Sequence, residues 1–299
     1  MLLCAVSVVF FLPEILPGDA ADNLLSIEAK SDTVTAVRNE LGLARPLYIR
    51  YAEFITGIFS GDMGLSYTYR TPVISLLAER LAVSLPLAAV ALLLTVITAI
   101  PLGLLAALFD GKSGNTAFSF LIQFGIAVPN FWAGMLLISL FAVMLGWLPA
   151  GGFSGYGAGF SEVMRELLLP SVALAFPQSA VLAKITRTSV LTVMTEEYIR
   201  AARAKGVSLS RLLIKHILPN ASVPILTVAG LQFSFLISGA VIIENIFYLP
   251  GIGQLIFQSL AQRDLITLKY SLALLLTAVW LINLSADLIL IRLNPKLRR

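Results

Sequence analysis

One cysteine (Cys4) and one histidine (His216) are all that the 299 residues hold of those two types. A single cysteine excludes an intrachain disulfide. One cysteine and one histidine cannot build a multi-ligand soft-metal centre. Charge is scarce too: 13% of residues are charged and 58% are hydrophobic, where a soluble domain carries about 25% charge. A water-soluble fold of this size needs more polar surface, whereas a chain solvated by lipid does not. A phosphate cradle is also missing. Asp110-Gly-Lys-Ser113 ends like a P-loop, but that pattern needs glycine at position 106, where this chain has Ala106, and the stretch before it is an apolar helix rather than a strand. No catalytic residue, cofactor or metal ligand set is expected, so the chain is not read as an enzyme. Its net charge of +4 is distributed as a membrane topology would place it and is not read as nucleic-acid binding.

What is present is apolar sequence in long uncharged runs: 81–109, 113–161, 167–183, 216–243 and 270–286. A helical span needs about 20 mostly apolar residues. The runs predict an all-α, six-span membrane protein with spans near 1–16, 81–108, 116–145, 169–190, 223–246 and 269–291. The first span is short and no basic residues precede it. A signal peptide cleaved at Ala20-Ala21 is the alternative, and the missing basic region argues against that; a native start upstream of Met1 is left open. Residues 17–80 form a polar segment with short amphipathic helices at 31–41 and 46–59. A tight turn occupies 110–114, a glycine-rich loop 146–166, a charged segment 191–220 and a tail 292–299. No repeat or separate soluble domain is visible, so 1–299 reads as one membrane domain. The short segments with both termini inside hold Lys112, seven Lys and Arg between 184 and 215, and four in the tail. The two shorter outside loops hold Arg165, Arg263 and Lys269. Cytoplasmic termini follow, with 17–80 outside and 191–220 inside.

The 191–220 segment carries the clearest design. Thr195-Glu196-Glu197 reads as a helix start, with a capping hydroxyl and acids in the first turn. Ala201, Ala202 and Ala204 keep the following helix narrow, and Gly206 permits a sharp stop. A second amphipathic helix, 209–217, is expected to end at Pro219. These residues fit a rigid knob that enters a groove on a partner, and equally a basic helix lying on anionic headgroups.

The same segment resembles the coupling loop of ABC importer permeases, E-A-A-x(3)-G-x(9)-I-x-L-P. Ala201, Ala202, Gly206, Leu218 and Pro219 stand at matching positions, while Arg200 replaces the Glu and His216 the Ile. The run Glu197-Tyr-Ile-Arg-Ala-Ala-Arg-Ala-Lys-Gly206 is similar to the dipeptide/oligopeptide/nickel branch. Six further stretches resemble that family in order: Leu16-Pro-Gly-Asp19, Leu41-Gly-Leu-Ala-Arg-Pro-Leu47, Gly61-Asp-Met-Gly-Leu-Ser66, Pro129-Asn-Phe-Trp132, Leu145-Gly-Trp-Leu-Pro149 and Glu244-Asn-Ile-Phe-Tyr-Leu-Pro-Gly-Ile-Gly253. The resemblance implies a type I importer permease fold and a multi-pass protein of the bacterial inner membrane. It implies pairing with a second related permease, two cytoplasmic ATP-binding subunits and a periplasmic solute-binding protein. Glu197, Arg200, Ala201, Ala202, Gly206, Leu218 and Pro219 would couple it to the ATPase. The implied cargo is a dipeptide, an oligopeptide or a related small solute such as chelated nickel.

Polar residues inside the spans form a second candidate set. Thr227, Ser234, Ser238 and Asn245 fall within about 40° of one another on a helix. Gln123 and Asn130 are seven apart in the third span, as are Ser171 and Gln178 in the fourth. Because polar groups are costly in lipid, these faces read either as the lining of a passage or as packing faces between helices. Glu244 and Asp287 are the acids nearest the spans, read as interfacial groups that cap or pair locally, with substrate binding or proton relay as the other reading. An ion-driven secondary transporter would commit buried acids or broken helices to its coupling ion. That class and a non-transporting membrane scaffold are the rival functions.

Overall fold

Proline in this chain bends one span and is absorbed by the others. The computed structural model describes residues 2–15, 35, 38–39, 42–111 and 114–293; Leu16-Pro-Gly-Asp19, most of 31–41 and most of the tail lie outside them. The helices in order are α1 (Leu2–Glu14), α2 (Leu47–Ser60), α3 (Val73–Leu108), α4 (Asn115–Ala127), α5 (Asn130–Leu137), α6 (Phe160–Met194), α7 (Glu197–Ala204), α8 (Leu209–Leu212), α9 (Leu218–Ile246), α10 (Ile252–Ala261) and α11 (Leu265–Leu293). α5 runs on as a π-helix over Ile138–Met144, and α8 runs into α9 through a π-turn over Leu213–Ile217. Among the described residues the all-α expectation holds: the sole β feature is an isolated bridge between Leu65 and Pro72.

Among the described residues four helices are long and apolar enough to cross a membrane: α3, α6, the continuous Leu209–Ile246 helix, and Leu265–Ala286 of α11. A fifth crossing is counted if α4 and α5 make one span. The third span, expected as one helix over 116–145, is instead broken by a 98° bend between α4 and α5. Pro129 cannot donate a backbone hydrogen bond, and its ring pushes Val128 out of the helical region to φ −81°, ψ 118°. The first expected span appears as α1, 13 residues long and below spanning length. Other prolines cause no break. Pro86 and Pro101 lie inside α3, Pro170 and Pro177 inside α6, and Pro224 inside α9. Freed carbonyls in membrane helices are re-satisfied by neighbouring groups.

The described chain divides into two units, residues 1–85 with 248–280 and residues 86–247 with 281–299. The first unit packs Phe10 of α1, Phe54 of α2, Val73 and Leu77 of α3, Leu255 of α10 and Tyr270 of α11 into one apolar cluster. Beside it, the Glu14 carboxylate receives both terminal nitrogens of Arg50, at 2.7 and 3.1 Å, and the ammonium of Lys269. Lys269 also stands 4.1 Å from the centre of the Phe10 ring. Lys269 is read above as a loop residue outside the membrane. It is in fact buried on the second turn of α11, where an acid from α1 makes the burial tolerable. Asp264, fully buried, caps the same helix by accepting from the Thr267 N–H at 3.2 Å and binds the Ser66 hydroxyl at 2.5 Å. α10 is absent from the sequence reading, which leaves 247–268 as a connection. Its Ile252, Leu255 and Ser259 are buried at helical spacing.

The second unit is built around α6, which packs on α4, α5 and α9. Close approach is set by glycine. A Cβ on Gly103 of α3 would lie 2.4 Å from the Ala183 carbonyl of α6, and one on Gly125 of α4 would lie 2.6 Å from the Ala180 Cβ.

Glu14→Gln should destabilise the first unit on the order of 3 kcal/mol, because it strands two buried cations. Lys269→Met should cost less, since Glu14 keeps Arg50. Thermal unfolding of the purified chain in detergent checks the order, and equal effects would refute the shared-acid account.

Candidate coupling segment and polar faces

The charged segment folds as a compact hook that hangs on the second unit's core. α6 ends at Met194, and Glu196, with extended backbone, starts α7. The expected capping hydroxyl does not cap. Thr195 belongs to the preceding turn and donates back to the Thr192 carbonyl at 2.7 Å, a local bond available to any Ser or Thr whose backbone is already helical. The stop at Gly206 is as expected. Its φ is +79°; its N–H reaches the Arg203 carbonyl at 2.9 Å, and the Val207 N–H reaches Ala202 at 3.2 Å. That bond pair closes the helix with a left-handed residue. Pro219 does not end the second helix. The π-turn lets Leu218 bond to the Leu213 carbonyl, five residues back, and Pro219 then falls in the first turn of α9, where an N–H is not needed.

The hook has two faces. Ile199, Leu212 and Ile217 are fully buried and join Ala106, Ala107, Val190 and Ala221 in one apolar cluster, with Ala202 packed against it. Glu197, Arg200, Ala201, Gly206 and Pro219 are exposed, and Leu218 is half-buried. Tyr198, Arg203, Ala204 and Lys205 extend the exposed face. It is narrow at Ala201 and Ala204, and basic around them.

The polar residues of the spans divide by partner. On α9, Thr227 donates to the Val223 carbonyl, Ser238 to Ser234 and Asn245 to Val241, each within the helix at 2.7–3.1 Å. Ser234 is buried, and its hydroxyl meets the Asn283 side chain of α11 at 2.8 Å. One turn earlier, a Cβ on Gly230 would lie 2.8 Å from the Ala286 Cβ. The face around Gly230 and Ser234 is therefore a close helix contact, while Ser238 is exposed. Asn130 opens α5 at the bend, with its amide against Gly239 of α9. Gln123 is exposed on α4. Gln178 is half-buried, and its carbonyl accepts from the Gln232 amide at 3.0 Å. Ser171 is fully buried, with no hydroxyl partner among the described residues.

Gln232 and Glu166 are among the buried polar residues that escaped the sequence reading. Gln232 lies about 140° from the α9 stripe. Glu166 follows Arg165 in what reads as a loop; its carboxylate accepts from the N–H and hydroxyl of Ser154, the latter at 2.5 Å, and so holds the glycine-rich loop. Glu244, near the end of α9, is fully buried.

The model of the binding-protein-dependent transport system inner membrane component matches residues 99–299, and that of its N-terminal region matches residues 1–88. The chain belongs to this family. It is the permease subunit of a binding-protein-dependent ABC transport system, a multi-pass inner-membrane protein that works with ATP-binding and substrate-binding partners. It is 37% identical over 297 residues to "Glutathione transport system permease protein GsiC" of Escherichia coli O6:H1, covering 99% of this chain and 94% of that one. It is 36% identical over 290 residues to "Probable peptide ABC transporter permease protein y4tP" of Sinorhizobium fredii, covering 97% and 93%. Among solved structures it resembles a membrane chain of the inward-facing MetNI methionine ABC transporter, with a TM-score of 0.62 at 19% identity, over 74% of this chain and 97% of that chain. This likeness bears on the fold alone.

The geometry separates members of the α9 stripe. Ser238→Cys should react with a small water-soluble thiol reagent in the assembled permease, and Ser234→Cys, held against Asn283, should not. Equal reactivity would show that the stripe acts as one surface.

Proposed function

We propose that this permease imports peptides, or a related small solute such as chelated nickel, and that the 196–219 hook converts closure of an ATPase pair into movement of the spans. The observation that carries this reading is the two-faced hook. Its inner face is fixed in the core through Ile199, Leu212 and Ile217, so a force on the exposed α7 reaches α6 and α9 through packed side chains. Its outer face, narrow at Ala201 and Ala204 and terminated at Gly206, suits a groove on a partner. Peptide as cargo follows the names of the full-length relatives, which specify glutathione and peptide systems. Pairing with a second related permease, both termini in the cytoplasm, and the polar residues of α4, α5, α6 and α9 as part of the passage complete the reading. Glu197 and Arg200 lie on the exposed face and would meet the ATPase directly. Ala202 and Leu218 would instead hold the hook's shape.

Gly206→Arg tests the coupling. Nothing lies within 4 Å of a Cβ at Gly206, so the cost is the left-handed backbone, about 1–2 kcal/mol, together with a long charged side chain at the docking tip. The variant should reach the membrane and assemble, but lose stimulation of ATP hydrolysis by the binding protein in a reconstituted complex. Unchanged stimulation would sink the coupling role. Ser208→Cys, exposed beside the tip, should be labelled from the cytoplasmic side of the membrane only; labelling of intact cells from outside would reverse the orientation.

A further inference from the structure

The hook is covalently joined to α6 and α9 but not to α3 or α4, yet those helices must move with it if the bundle is to open as a unit. Beyond the apolar cluster that the hook shares with Ala106 and Ala107 of α3, and the Thr98–Ser179 hydroxyl contact farther along α6, one charged side chain makes that connection beside the hook. Arg187, two turns before the end of α6, donates through Nη2 to the Asp110 carboxylate at 2.6 Å and to the Asn115 side chain at 3.3 Å. Asp110 lies in the turn that closes α3, and Asn115 is the first residue of α4. Asn115 also accepts from Ser119 on the next turn of α4, at 3.3 Å. The pair is half-buried, with side-chain exposures of 27% for Arg187 and 40% for Asp110. Farther along the same helices, Gly103 touches Ala183 and Thr186, and Gly125 touches Ala180. These contacts leave no room to slide but carry no charge or direction. Arg187 supplies both at the end where the hook begins. The turn that resembles a P-loop without its glycine thus has a use: its Asp110 presents a carboxylate to α6.

We propose that Arg187 is a positioning residue for coupling, and that its bond to Asp110 and Asn115 makes the α3–α4 turn follow the hook. The proposal rests on the coupling role of 196–219. In the complete transporter, reconstituted with its ATPase subunits, Arg187→Asp and Asp110→Arg should each lower the stimulation of ATP hydrolysis by the binding protein, purified with its native ligand, about threefold or more. Complex yield and unstimulated hydrolysis should stay at the parent level. The double variant Arg187→Asp/Asp110→Arg should recover the stimulation, because the ion pair re-forms with its signs exchanged. A residue that only supports folding would lower yield or melting temperature and leave the stimulation ratio intact, and that outcome overturns the proposal. So does a double variant no better than the singles. If charge reversal prevents assembly, Arg187→Gln and Asp110→Asn carry the same test, and parent-level stimulation in both overturns it. Gly206→Arg runs in parallel. Loss there with none at Arg187 removes the proposal and leaves the hook's role standing. Loss at Arg187 with recovery in the double variant, and none at Gly206, shows that the ion pair acts without the hook, and overturns the proposal together with the hook's role.

Discussion

The functional reading depends on three side chains, Ile199, Leu212 and Ile217, entering the apolar cluster of the second unit. Full burial of each contributes about 1.5–3 kcal/mol relative to water. That is large against the small, charged α7, whose exposed face alone offers no reason to stay in place. Without this anchorage the segment would be the other thing its sequence permits, a basic helix lying on the membrane surface. With it, the same residues make a part that can be pushed.

Backbone chemistry sets the second constraint. A long helix in lipid must satisfy its own amides and carbonyls. This chain does so while carrying prolines in α3, α6 and α9 without a break in those helices, and among the described residues Pro129 stands at the sharp bend of a broken span. The π-turn ahead of Pro219 shows how one proline is absorbed. A widened turn shifts the bonding register so that the missing N–H falls where it is not called upon. The hook and α9 therefore form one continuous helical path rather than two pieces joined by a loop.

Much of this architecture is legible in the sequence because lipid imposes a simple rule, long runs without charge. α3, α6, α9 and α11 all follow it, and the hook's turn is marked by a glycine that the left-handed backbone requires. The failures have physical causes. The bend at Val128 depends on one proline among several, and composition cannot tell a kink from a break. Lys269 and Glu166 read as loop residues because a charge usually marks a membrane edge, yet each is buried beside a partner far along the chain: Glu14 for Lys269, Ser154 for Glu166. α10 is too short for an apolar run to announce it. The Thr195 cap failed because a hydroxyl can bond forward or backward with equal ease, and the choice belongs to the turn, not the residue. The polar stripe on α9 was found by spacing, but spacing treats its four members alike, while the fold gives Ser234 a partner on another helix and leaves Ser238 with its own.

Those self-contained bonds affect how α9 tolerates its surroundings. Thr227, Ser238 and Asn245 each donate to a carbonyl one turn back, so these donor bonds need neither water nor a neighbouring helix. A helix equipped in this way is nearly indifferent to its medium along that strip: it can face water, a neighbour or acyl chains without breaking those bonds. Ser234 is the exception, since its hydroxyl is committed to Asn283. Along that strip α9 thus combines one hydroxyl committed to another helix with polar groups that can change surroundings at little cost.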